Sequence, residues 1–178
     1  MTANFVSLDP TMLALRRSLL FVPGDDERKI NKAAGGTPAD ALIVDLEDAV
    51  AVSRKDLARD RLGETLEQLG SIVRLVRVNA AETGRLVRDL EAAAAAGADG
   101  VVVPKVESSA VLGEVDRVLS GSPLVVVPLV ETAIAVVRIG EIAVASERVD
   151  FLALGAGDLV TDLALPAAAH GDDGGVLD

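Results

Sequence analysis

Three features of the sequence predict an α/β fold on a parallel sheet. Short apolar runs start near residues 18, 41, 71, 100, 124 and 149, at intervals of roughly 25–30 residues, with a helix-like segment between each and the next. The runs are almost continuously apolar, as in strands buried on both faces. Polar residues collect where the runs end: Asp45, Glu47 and Asp48, then Arg77 and Asn79, Lys105 and Glu107, Glu131, and Asp158. A (β/α)8 barrel opens the carboxyl ends of all its strands on one face, which makes one ring of these groups. A doubly wound sheet would distribute them about a switch point instead. The expectation is therefore a TIM-barrel-type fold of which about six β/α units are present.

Each element has its own reason. SLLFVPG (18–24) is the first strand, closed by Pro23-Gly24. The helix DDERKINKAA (25–34) begins with acids and carries Lys32 late, as the helix dipole favours, and Gly35-Gly36 ends it. ALIVDLED (41–48) is the second strand, and Ser53 is the expected N-cap of the long helix after it. SIVRLVRVN (71–79) is the third strand, followed by the alanine-rich helix that Gly97 stops. GVVVPKVE (100–107) and LVVVPLVE (124–131) are strands four and five, each with its helix, and VDFLALGAGD (149–158) is the sixth. No linker divides the chain. The expected organisation is an arm at 1–16, the partial barrel at 17–163 and a loose tail at 164–178. Six units leave two strand edges uncovered, a pattern that promotes association. The chain thus reads as a barrel lacking its C-terminal units, against the alternative of a complete six-stranded open sheet.

Composition excludes several functions. The chain of 178 residues carries a formal charge of −11, which disfavours nucleic-acid backbones, and its 2% aromatic content disfavours base stacking. It has no cysteine, so disulfides, thiolate nucleophiles and cysteine zinc sites are ruled out. No apolar run reaches a membrane span and the N-terminus lacks the pattern of a secretory signal, so a cytoplasmic protein is expected. GAGDLV (155–160) lacks the third glycine of a dinucleotide fingerprint, and Ser53, Ser108 and Ser109 have no nearby base, so a serine triad is not expected. His170, the single histidine, lies in the polar tail.

The chemistry is carried by carboxylates. Glu131 and Asp158 each end an apolar run, one strand–helix unit apart, so a parallel sheet brings them to the same edge. Two acids there suit a hard divalent cation such as Mg²⁺, with water and substrate oxygens completing its shell. The bland reading of either acid alone is a surface strand end. Arg77, between Val76 and Val78, needs an anionic partner: a substrate carboxylate, a structural pair with Asp45 or Glu47, or both. Asp45 and Glu47 are expected on one strand face and Asp48 on the other, supporting Arg77 and metal-bound water.

RSLLFVPG, KAAGG with ADALIVDLEDAV, VRVN, GVVVPKVE, PLVET and LGAGDL together resemble the successive blocks of the citrate lyase beta-subunit family. That family includes malyl-CoA and citramalyl-CoA lyases and is related to metal-dependent 2-oxo-acid aldolases. The resemblance covers residues 17–163. It implies a (β/α)8 barrel, Mg²⁺, and cleavage of a 3-hydroxy-acyl-CoA into an acyl-CoA and a 2-oxo acid. By position it implies Glu131 and Asp158 as metal ligands and Arg77 as the arginine holding the acid's carboxylate. It further implies Phe21 and Lys32 at the CoA ester, with Arg28 a candidate for its phosphates. Intact relatives of this kind are homo-oligomers of trimer or hexamer-of-trimers type, in which a neighbour's C-terminal lid brings the acid/base aspartate. No residue here is therefore assigned as the catalytic acid/base. The alternatives are an aldolase acting on free 2-oxo acids and a non-catalytic assembly subunit.

Overall fold

The computed structural model describes residues 17–165. The expected arm and nearly all of the expected tail, including His170, lie outside them. Six strands run parallel in strict chain order: β1 (Leu19–Pro23), β2 (Ala41–Asp45), β3 (Val73–Arg77), β4 (Gly100–Val103), β5 (Val125–Val130) and β6 (Ala153–Leu154). This is the order of a curling β/α barrel, and six of its units are present. Register ties Phe21 to Ile43 and Ile43 to Leu75, and it pairs Asp45 with Arg77. The ladder continues past the strand ends through Gly24 N–H to Asp45 O (2.9 Å) and Leu46 N–H to Arg77 O (2.9 Å).

Helix α1 (Glu27–Ala34) is capped by Asp26, whose carboxylate accepts the Lys29 N–H at 3.0 Å. The expected long helix after β2 is instead a 3₁₀ turn (Val52–Arg54) and two short helices, α2 (Lys55–Asp60) and α3 (Leu62–Gln68). Ser53 lies inside that 3₁₀ turn and caps nothing, contrary to expectation. Helix α4 (Leu86–Ala95) follows β3 and α5 (Ser109–Val118) follows β4. The helix expected after β5 breaks at Arg138 into α6 (Ala133–Val137) and α7 (Ile139–Ala143), and α8 (Ala156–Asp162) follows β6.

Strand parity divides the core in two. Leu42, Val44, Val76, Val101, Val103, Val126 and Val130 face the helices and pack with Leu62, Leu66, Leu90 and Leu112. Ala41, Ile43, Val73, Leu75, Val102, Val127 and Leu129 form a second cluster on the other face, the inside of the curl. All five residues of β2 are buried, which accounts for the unbroken apolar run.

Burial thins toward the end of the described chain. β6 has only two residues, and Val137, Val144 and Leu154 are 79%, 82% and 51% exposed. Ile134, Val136, Ile139, Leu163 and Leu165 are exposed as well. Among the described residues no helix is long and apolar enough to cross a membrane.

Candidate active site

Parity also builds the site. Two residues beyond Ile43, Leu75 and Leu129, the same face receives Asp45, Arg77 and Glu131 at the carboxyl ends of β2, β3 and just past β5. Arg77 grips Asp45 with both edges of its fork, Nε to Oδ1 at 2.8 Å and Nη2 to Oδ2 at 2.6 Å. Its third nitrogen, Nη1, lies 3.2 Å from Glu47 Oε2 and 3.5 Å from Asp48 Oδ2. The expected split of these acids across two strand faces is not observed. β2 ends at Asp45, so Glu47 and Asp48 belong to the turn beyond it and no longer alternate. That turn wraps back on Asp45, which also accepts the N–H groups of Glu47 (2.8 Å) and Ala49 (3.0 Å). The guanidinium thus binds all three acids, and its own proton affinity is raised by Asp45 in spite of burial, with smaller contributions from Glu47 and Asp48.

Lys55 holds the same turn from below. It is buried, and its ammonium donates to the carbonyls of Leu46 (3.0 Å) and Glu47 (2.7 Å). Nothing local in SRKDLARD signals this, because the contact is made by folding α2 beneath the loop.

Glu131 is 1% exposed, and its Oε1 accepts the main-chain N–H of Lys105 at 2.8 Å. Burial pushes its carboxyl up to about 7. The Lys105 N–H opposes that rise, and the charges of Glu47 and Asp158, with a hydrogen bond to the Asp158 side chain, add to it. The two acids predicted to converge therefore meet. Their elements differ from expectation: the sixth strand stops at Leu154, and Asp158 sits in the first turn of α8. Gly155 makes room for the meeting. A Cβ there would lie 2.6 Å from Glu131 Cβ and Oε2, so any side chain would strike the glutamate.

Lys105 is the group the sequence left without a role. Its Nζ is 3.5 Å from Glu47 Oε1, which joins the acids after β2 to the one after β5. Its place at a strand end, like Arg77 and Glu131, was the available signal. Glu47 itself is pushed above the usual carboxylate range by burial and by Asp48, although Arg77 and Lys105 pull it back.

Phe21 of β1 lies beneath Arg77, with the guanidinium carbon 4.9 Å from the ring centroid, and the ring is 45% exposed. On its other side Phe21 borders a cavity of about 320 Å³ that Leu20, Lys29, Lys32 and Thr37 help to line. Phe21 and Lys32 thus line one cavity. Lys29 joins them, while Arg28, exposed on the same helix, is not part of the lining.

Among the described residues no three or more His, Cys, Asp or Glu side chains gather as a metal-ligand group. The donor set at Glu131 is a pair. Two carboxylates in contact, one of them buried and raised toward neutrality, form an environment that a divalent cation would relieve, so the residues fit such an ion with outside oxygens completing its shell.

A family model described as HpcH/HpaI aldolase/citrate lyase matches residues 17–174. The chain is 37% identical over 160 residues to the citrate lyase subunit beta of Leuconostoc mesenteroides subsp. cremoris, covering 84% of this chain and 53% of that one. It is 40% identical over 149 residues to a (3S)-malyl-CoA thioesterase of Cereibacter sphaeroides, covering 83% and 51%. The chain thus spans about half the length of these curated relatives. A citrate lyase beta subunit from M. tuberculosis, solved with oxaloacetate and magnesium, superimposes with a TM-score of 0.68 at 38% identity, covering 86% of this chain and 64% of that one. A structure of protein CitE from Mycobacterium tuberculosis with magnesium, acetoacetate and coenzyme A gives 0.66 at 38% identity, covering 84% and 53%.

Proposed function

Since the chain belongs to the HpcH/HpaI aldolase/citrate lyase family, we propose that it contributes the binding face of a Mg²⁺-dependent carbon–carbon lyase. The proposed reaction cleaves a 3-hydroxy-acyl-CoA of citryl, malyl or citramalyl type into an acyl-CoA and a 2-oxo acid. The observation that carries it is the meeting of buried Glu131 with Asp158, which is exposed in the first turn of α8, at the end of the inner face where Arg77 and Lys105 hold Glu47. Relatives solved with magnesium together with oxaloacetate or coenzyme A support the ligand classes.

In this reading Glu131 and Asp158 hold the cation. A bound Mg²⁺ supplies Lewis acidity toward the oxygens of the acid half. Arg77 offers the carboxylate of that half a fixed positive charge, prearranged by Asp45 so that little reorganisation is needed on binding. Nε and Nη2 are engaged by Asp45 at hydrogen-bond distance, so Nη1, held by the longer ion pairs to Glu47 and Asp48, is the nitrogen this reading gives to the carboxylate. Asp45, Glu47 and Asp48 keep the guanidinium in place. The cavity beside Phe21 takes the CoA portion, with Lys29 and Lys32 beside its phosphates. The reading carries with it the cytoplasmic location expected from the sequence. The exposed apolar side chains around α6–α8 favour a second element, that the chain works within an assembly.

The test is Mn²⁺ binding, followed by electron paramagnetic resonance, in the wild-type chain and in Glu131→Gln and Asp158→Asn. Each substitution should weaken binding at least about tenfold, the lower end of what loss of even an outer-shell partner of a ligand costs. Wild-type affinity in both variants would end the proposal. Removing the Lys29 and Lys32 charges should lower affinity for CoA and leave binding of a free 2-oxo acid unchanged. An equal loss for both would favour a site for free acids.

A further inference from the structure

Lys105 adopts φ +51°, the left-handed region that lysine rarely enters. Such strain persists only where the surroundings fix it, and it collects at functional sites. Here the conformation lets one residue serve two acids. Its main-chain N–H is aimed at Glu131, at 2.8 Å, while its side chain runs the other way to Glu47, with Nζ 3.5 Å from Oε1. The Lys105 side chain is 37% exposed, so solvent and ions reach it.

Acids outnumber cations around it: Asp45, Glu47, Asp48, Glu131 and Asp158 stand against Arg77, Lys55 and Lys105. Arg77 is already committed through two N–H groups to Asp45. Glu47, Asp48, Glu131 and Asp158 all act on Lys105, and together they raise its proton affinity against the effect of burial. We propose that Lys105 is a tethered counter-cation: its ammonium pairs with Glu47 when no metal is bound, and its charge, carried on the residue whose N–H holds Glu131, opposes a divalent ion at the neighbouring carboxylates. This rests on the reading of Glu131 and Asp158 as cation ligands. It adds that the lysine sets how tightly they bind, holding affinity down in exchange for a stable metal-free site. An ammonium beside a divalent ion repels it, so removing the charge at constant side-chain size should tighten binding.

The test compares Lys105→Met with the wild-type chain. Lys105→Gly is a second variant, because glycine adopts the same φ without strain and keeps the N–H that Glu131 uses. Both should bind Mn²⁺ about tenfold more tightly, and Lys105→Arg should bind as wild type does. Without metal, Lys105→Met should melt at lower temperature than wild type at low salt, and about 1 M NaCl should remove the difference by screening the acids. Binding that is unchanged or weaker in both uncharged variants overturns the proposal. If the wild-type chain binds no Mn²⁺ at all, the cation reading fails by itself. The salt-dependent melting difference then decides the counter-cation role, and its absence overturns it.

Discussion

Asp45 and Glu131 occupy matching positions and are equally buried, each 1% exposed at the inner end of a strand, yet their surroundings are opposite. Asp45 receives four hydrogen bonds, two from Arg77 and two from main-chain N–H groups of its own turn. Glu131 receives one N–H, from Lys105, and faces Asp158. One carboxylate is saturated by its fold, and the other is left with a like charge and pushed up to about 7. Burial alone therefore does not mark a functional acid. What separates the two is whether the chain itself completes the acid's partners, and at Glu131 it does not.

The largest effect should come from breaking the saturated side. Arg77→Met would leave Asp45 buried without its counter-charge, and uncompensated buried charges cost about 3–5 kcal/mol. Glu131→Gln, at the matching position, removes a charge that two acids, Glu47 and Asp158, oppose and that one main-chain N–H supports, and should leave metal-free stability unchanged or raised at neutral pH. Urea midpoints of the two variants measure the contrast. Equal losses at the two positions would remove the distinction between a structural and a functional acid.

A smaller effect sharpens the Glu131 side. Gly155 has φ −90°, which alanine tolerates, so Gly155→Ala is purely a steric probe of the glutamate 2.6 Å away. Overpacking of this kind costs about 1–3 kcal/mol. Displacement of Glu131 should in addition weaken Mn²⁺ binding about tenfold, as loss of a correctly placed ligand group does. A stability loss with metal affinity intact would show that Glu131 does not need its present position to bind.

The difference between the two sides also explains what the sequence made legible. Apolar runs one unit apart revealed the parallel order, and the acids and arginine at their ends revealed the inner face, because strand parity is local. Asp158 was expected at the end of the sixth strand and lies instead in the first turn of α8. FLAL looks like the middle of a strand, but the outer strand has few partners, so pairing ends at Leu154 and α8 starts two residues on. Ser53 failed as a cap because the chain must first turn to bury Lys55 beneath the Asp45 loop, a tertiary demand that no local pattern records. The role of Lys105 was hidden for a similar reason. Its φ and both of its partners are set by β2 and β5, not by its own strand.

The mildest perturbation is pH. A carboxyl raised from 4.5 to about 7 on folding holds its proton more tightly in the folded chain. Its contribution to stability is full below about pH 4.5 and is lost as pH rises through about 7. A divalent ion acts in the opposite sense, because it needs Glu131 ionised, so its stabilisation grows over the same range. The metal-free melting temperature of the wild-type chain should thus fall relative to Glu131→Gln between pH 4.5 and 7. The increment added by saturating Mn²⁺ should rise over that window and be small in the variant. Glu47 titrates upward as well, so the comparison with Glu131→Gln, not the wild-type curve alone, isolates the effect. Parallel curves for the two chains would mean that Glu131 is ionised throughout, and with it would go the difference between this acid and Asp45.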